Sequence, residues 1–158
     1  MSDDSPIIIV NLKAYEEGYG ADGYDLCKIM EEIALEHKVK LAAAVSAIDL
    51  VDFSDNLEIP IFAQHVDGVN YGSHTGAILP EAVRYSGAVG TLVNHAECQM
   101  TWEEIEKTIN RCKELGLSTV LCTADIESSE KGAHLNPDMI AVEPPELIGG
   151  DISVSTAK

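Results

Sequence analysis

AVGTLVNHAECQMTWEEIEKTINRCKELGLSTVLCT, Ala88 to Thr123, contains a complete strand–helix–strand unit. Ala88 to Val93 is a short apolar run, the pattern of a strand buried on both faces, and it ends in Asn94-His95. Thr101 and Glu104 have the spacing of a capping box, and Gly116 is placed to end the helix. Between them Trp102, Ile105, Ile109 and Cys112 fall on one helical face. Ser118 to Thr123 is a second buried strand. Two buried strands joined through a helix must run parallel, because a parallel pair needs a crossover of this length.

The same alternation extends in both directions. Upstream, Ile7 to Val10 is a β-branched strand ending in Asn11-Leu12-Lys13. Leu26, Ile29, Met30 and Ile33 recur at helical spacing between Asp22 and Lys38. Lys40 to Val45 predicts a strand, Ala47 to Leu57 a helical piece, and Pro60 opens the strand IFAQHV. A polar, glycine-rich loop follows from Asp67 to Gly76, and then a helix with Pro80 at its start and Gly87 at its stop. Downstream, Ala124 to Pro137 offers only Ile126, Ala133 and Leu135 as apolar anchors, so any helix there is weak. Met139 to Val142 is a sixth strand leading to Glu143. The class is therefore α/β, a parallel sheet covered by helices. Six such units fit an open doubly wound sheet or part of an eightfold barrel. Polar groups gather at the C-terminal ends of several strands: Asn11 and Lys13, Gln64 and His65, Asn94 and His95, and Glu143. A barrel brings those ends to one mouth, which favours the barrel.

Composition narrows the function classes. A chain of 158 residues with 46% hydrophobic and 5% aromatic residues is expected to form a single domain, 1–158, with an aliphatic core. Ten basic residues against 27 acidic ones give a formal charge of −17, which argues against nucleic acid and anionic membranes as partners. An anionic ligand would need local positive charge set against that field. The start, MSDDSPIIIV, lacks the basic region of a signal peptide, and no apolar run reaches a membrane span, so a cytoplasmic protein is expected. The four cysteines, Cys27, Cys98, Cys112 and Cys122, form no C-x-x-C pair; three of them fall on apolar faces or in strands, so buried free thiols are expected.

The stretch AVEPPELIGG, Ala141 to Gly150, sets a carboxylate, Glu143, against two prolines and a Gly149-Gly150 tip. It reads either as a base beneath a moving lid or, more plainly, as a strand end with an exposed Glu and a Pro-rich turn. Together the strand ends supply a cation (Lys13), an imidazole (His95), a carboxylate (Glu143) and an amide (Asn11). Lys and Asn hold an anionic oxygen, His donates to a carbonyl, and Glu moves a carbon-bound proton: the requirements of enolisation. His65, His74 and His95 match no zinc-ligand spacing, so no metal is expected, and no cofactor is required.

The stretches NLK (Asn11 to Lys13), FAQHVDGVNYGSHTGAILPEAV (Phe62 to Val83), GAVGTLVNHAE (Gly87 to Glu97) and AVEPPELIGG resemble archaeal-type triosephosphate isomerase in collinear order. The resemblance implies a TIM-type (β/α) barrel of which about six of eight βα units are present. It implies interconversion of dihydroxyacetone phosphate and glyceraldehyde 3-phosphate, within glycolysis and gluconeogenesis; the alternative is a non-catalytic shortened relative serving as an assembly or binding module. The family is itself the usual worked example of a Glu base, a neutral His electrophile and a closing loop. By resemblance Glu143 shuttles the proton, His95 polarises the carbonyl and Lys13 neutralises the enediolate. Likewise Asn11 orients substrate, Glu97 positions Lys13 and the Gly149 amide grips the phosphate. Thr75 lies in the loop that braces a neighbouring subunit, so a homo-oligomer, dimer or tetramer, is expected. The chain departs from the pattern at Ala96, where the family has Ser, and at Asp151, where it has a second lid glycine. It also stops at Lys158, before two further units.

Overall fold

The computed structural model describes residues 6–144. The strands are β1 (Ile7–Asn11), β2 (Lys40–Val45), β3 (Ile61–Ala63), β4 (Gly90–Val93), β5 (Ser118–Thr123) and β6 (Met139–Val142). Between them run α1 (Gly20–His37), α2 (Leu50–Asn56), α3 (Pro80–Tyr85), α4 (Trp102–Leu115) and α5 (Ile126–Ala133). Every pairing is parallel, and the strands lie side by side in chain order. A doubly wound sheet reverses direction at a switch point, and this one does not.

Packing separates the two faces. Ala42, Ala44, Phe62, Leu92 and Val120, with Ile9, Met139 and Ala141, form a cluster of strand residues alone. Their neighbours of opposite parity face helices: Ala43, Val45 and Ile61 meet Cys27, Met30, Phe53 and Val83, while Val93 and Leu121 meet Ile105 and Ile109. Helices cover one face, and strand residues pack against each other on the other. That is the sheet of a barrel, curled about its own interior. Gly90 shows how tightly the interior is filled, since a Cβ there would stand 2.4 Å from Ser118 O and 2.5 Å from Phe62 Cε1. The missing side chain leaves room for the Phe62 ring.

Local details differ from the sequence reading for identifiable reasons. The expected six-residue strand from Ile61 narrows to three, with one further backbone hydrogen bond from Gln64 N to Val45 O at 3.2 Å. The inward stripe of α1 is Gly23, Cys27 and Met30, whereas Ile29 and Ile33 are 52% and 42% exposed. The segment read as a weak helix is helical. Asp125 and Ser128 form a reciprocal cap, with Ser128 N donating to Asp125 Oδ1 at 2.7 Å and Asp125 N to Ser128 Oγ at 3.1 Å. Ile126 is no anchor, being 77% exposed; Gly132 sits against Leu121 instead.

Among the described residues β1 and β6 are the sheet edges. Their barrel-interior residues Ile9, Met139 and Ala141 stay half-buried. The outward positions lose cover: Ile8 at 55%, Val142 at 52% and Ile140 at 37% exposed. No helix among the described residues is long and apolar enough to cross a membrane.

Candidate active site

Each functional side chain leaves a strand end through a turn that aims it. After β1, Lys13 takes a left-handed conformation with φ 53°, which costs a non-glycine residue about 1–2 kcal/mol. Two amides oppose that cost. Asn11 Oδ1 accepts the Lys13 N–H at 3.0 Å, and Gln64 Nε2 donates to the Lys13 carbonyl at 2.8 Å and the Ala44 carbonyl at 3.3 Å. After β4, Asn94 (φ 60°) makes the equivalent turn, its Nδ2 donating to Cys122 O at 3.0 Å and its Oδ1 accepting from Met100 N at 2.8 Å. That turn directs His95 into the mouth, where it is buried. After β6, Glu143 N donates to Thr123 O at 2.7 Å, holding the strand end in register with β5.

The side chains then meet in a row. Lys13 Nζ donates to Glu97 Oε1 at 3.0 Å, and this hydrogen bond raises the Lys13 pKa above its usual 10.5 despite partial burial. His95 Nδ1 accepts the backbone N–H of Glu97 at 3.1 Å. Glu97 Oε2 lies 3.6 Å from the same nitrogen, too far for a hydrogen bond. His95 Nε2 is 3.0 Å from Glu143 Oε1, and the Ala96 N–H donates to Glu143 Oε2 at 3.1 Å. An Nδ1 that accepts an N–H carries no proton, so the ring is neutral and its proton sits on Nε2. His95 is thus a donor aimed into the mouth, and Glu143 is the acceptor beside it. A cavity of about 210 Å³ lined by Asn11, Lys13, Gln64, His95 and Glu97 lies on one side. Another of about 300 Å³, lined by Ala96, Cys122, Thr123 and Glu143, lies on the other.

Asn11, Lys13, His95, Glu97 and Glu143 therefore converge from β1, β4 and β6. Thr75 does not join them; it is exposed in the loop between β3 and α3. Gly149, the proposed lid and Asp151 lie outside the described residues. His65 and His95 line one cavity while His74 lines another, and among the described residues no group of three or more His, Cys, Asp or Glu is placed to hold a metal. Sequence reasoning gave Gln64 and Asn94 no role, although an amide directly after a short apolar strand is the signal of a side chain that satisfies strand-end backbone. Ala96 lacks a hydroxyl, but its backbone N–H is what holds Glu143.

The fold is that of a (β/α) barrel, with a lysine, a histidine and two glutamates gathered at the C-terminal mouth of its strands. The comparisons narrow this. The family model for triosephosphate isomerase matches residues 6–158. The triosephosphate isomerase of Methanocaldococcus jannaschii is 47% identical over 151 residues, covering 96% of this chain and 69% of that protein. The Methanothermobacter thermautotrophicus enzyme is 46% identical over 155 residues, covering 98% and 68%. Among solved structures, the Bartonella henselae triosephosphate isomerase aligns with a TM-score of 0.69 at 16% identity, over 87% of this chain and 65% of that one, a likeness of fold. The chain belongs to the triosephosphate isomerase family. It spans about two-thirds of the length of these relatives.

Proposed function

We propose that the chain carries the catalytic half of an aldose–ketose isomerase acting on triose phosphates, within a single partial-barrel domain. The observation that carries the reading is the contact row Lys13–Glu97–His95–Glu143 across the mouth. A substrate with adjacent carbonyl and hydroxyl carbons enters between His95 and Glu143. The carboxylate of Glu143 accepts the proton from the carbon beside the carbonyl, and the C–H electrons become the enediolate double bond. His95 Nε2–H donates to the oxygen that gains charge, and the ammonium of Lys13 stabilises it. Glu143 returns the proton to the neighbouring carbon while His95 passes a proton from the hydroxyl oxygen to the former carbonyl oxygen, so that the second carbonyl forms and the exchange is complete. Asn11 fixes the Lys13 backbone and faces the same cavity, where it orients the substrate. The Gly149 amide is assigned to the phosphate, and the Thr75 loop to a neighbouring copy in a cytoplasmic dimer or tetramer. No cofactor is needed.

The test is a steady-state assay of the 158-residue chain with both triose phosphates, with Glu143→Gln as control. We expect isomerisation that Glu143→Gln abolishes. Turnover unaffected by that substitution would overturn the assignment, and no turnover at saturating substrate would favour a binding module.

A further inference from the structure

A second cluster of reactive side chains lies beside the acid–base row and is not used by it. Cys98 Sγ is 3.7 Å from His65 Nδ1, and His65 Nε2 is 3.2 Å from Asp67 Oδ1. Cys98 and Asp67 are held independently of each other. Cys98 N donates to His95 O at 2.7 Å, while Asp67 is clamped by its own N–H to Ile78 O at 2.9 Å and by Ile78 N to its Oδ2 at 2.7 Å. A His that donates through Nε2 to a carboxylate presents an unprotonated Nδ1 to its neighbour, which here is the thiol. Access is open on two sides. His65 and Cys98 line both the cavity containing Lys13 and His95 and another, of about 490 Å³, that includes Asp67, Glu104 and Lys107.

The other three thiols are in the opposite situation. Cys27, Cys112 and Cys122 are buried, and burial pushes them up to about 11, about 12 and about 12. Cys98 is exposed.

We propose that Cys98 is a modification site: assisted by His65 and Asp67, its thiol reacts with a low-molecular-weight disulfide to form a mixed disulfide at the rim of the Lys13–His95 cavity. His65 Nδ1 takes the thiol proton, and the Cys98 sulfur attacks one sulfur of the disulfide. The old S–S bond breaks as the new one forms, and the departing thiolate takes the proton back from His65. No net oxidant beyond the disulfide is consumed. The adduct occupies the entrance through which an anionic ligand reaches Lys13, so the modification closes that entrance until a thiol reverses it.

The experiment uses 2,2′-dithiodipyridine on the folded chain, with release of the pyridinethione followed by stopped flow. One thiol of four should react in a fast phase, and Cys98→Ser should remove that phase. His65→Gln should slow it about tenfold or more while leaving one reactive thiol, the loss expected when a positioned base is removed. Asp67→Asn should slow it by a smaller factor, and far-UV circular dichroism identifies any variant that has not folded. A fast phase unchanged in both folded variants would reduce Cys98 to an ordinary exposed cysteine and overturn the proposal. A fast phase surviving Cys98→Ser would do the same.

Discussion

Replacing Glu143 by Gln preserves the shape of the side chain and removes half of its acceptors. In the resting site the carboxylate accepts from His95 Nε2–H at 3.0 Å and Ala96 N–H at 3.1 Å, with the Cys122 thiol also hydrogen-bonded to it. A primary amide has one carbonyl oxygen, so whichever way the substituted side chain turns, its NH₂ faces one of those donors. One contact is lost outright and the other drops from charge-assisted, about 1.5–3 kcal/mol, to neutral, about 0.5–1.5 kcal/mol. Removing a charge from a site only 19% exposed relieves some desolvation, which offsets part of this loss. The net expectation is a destabilisation of about 1–3 kcal/mol, seen in urea as a lower midpoint with unchanged slope. The same samples report the tautomer. In ¹⁵N NMR, His95 should show an unprotonated Nδ1 and a protonated Nε2 in both proteins, because the Glu97 N–H that fixes the ring is untouched. A variant as stable as the parent, or a His95 protonated on Nδ1, would refute the geometry from which the mechanism is derived.

Other substitutions probe neighbouring supports. Gln64→Leu leaves the Lys13 carbonyl without its side-chain donor and should cost about 1–3 kcal/mol; in a form with measurable turnover, kcat should fall by up to about 10²-fold as Lys13 drifts. Gly90→Ala drives a Cβ to 2.4 Å from a backbone carbonyl and should lower stability by about 1–3 kcal/mol in thermal unfolding, with Phe62→Leu recovering only the part due to the ring. Glu97→Gln should remove the carboxylate charge and weaken the hydrogen bond that together raise the Lys13 pKa. A raised folded-state pKa contributes stability that is fully present below about 10.5 and lost as pH rises through the higher value. The parent should therefore exceed the variant by no more than about 1 kcal/mol at neutral pH, and the difference should vanish in strong alkali, as read by urea titration across pH.

Strand order and site convergence were legible because they rest on patterns a sequence carries directly. Continuous apolar runs mark buried parallel strands, and Asn11, Lys13, His95 and Glu143 each follow one within three residues. What escaped reading depends on contacts that a count of apolar residues does not register. Gln64 gains its role from the Lys13 carbonyl, 51 positions away. Helix α5, read as weak for want of apolar anchors, owes its start to a reciprocal Asp125–Ser128 cap. In α1, evenly spaced Ile29 and Ile33 look like core, yet the inward stripe runs through Gly23 and Cys27, because Gly23 lets the helix approach the segment before it closely.

The site also depends on the parts of the sheet that are least supported. Lys13 arrives from β1 and Glu143 from β6, the two edge strands, whereas His95 arrives from β4 in the interior. His95 and the Ala96 and Glu97 amides follow the interior strand β4, and Lys13 and Glu143 reach them from the two edge strands. Exposed Ile8, Ile140 and Val142 mark where those edge strands lack cover, and each fully buried Ile or Val is worth about 1.5–3 kcal/mol. Covering the edges, whether with further βα units or with a second copy, therefore acts directly on the Lys13-to-Glu143 separation while leaving β2 to β5 almost untouched. Since a misplacement of about 1 Å at a reacting centre costs about 10²-fold, catalysis should respond to edge cover far more steeply than folding does.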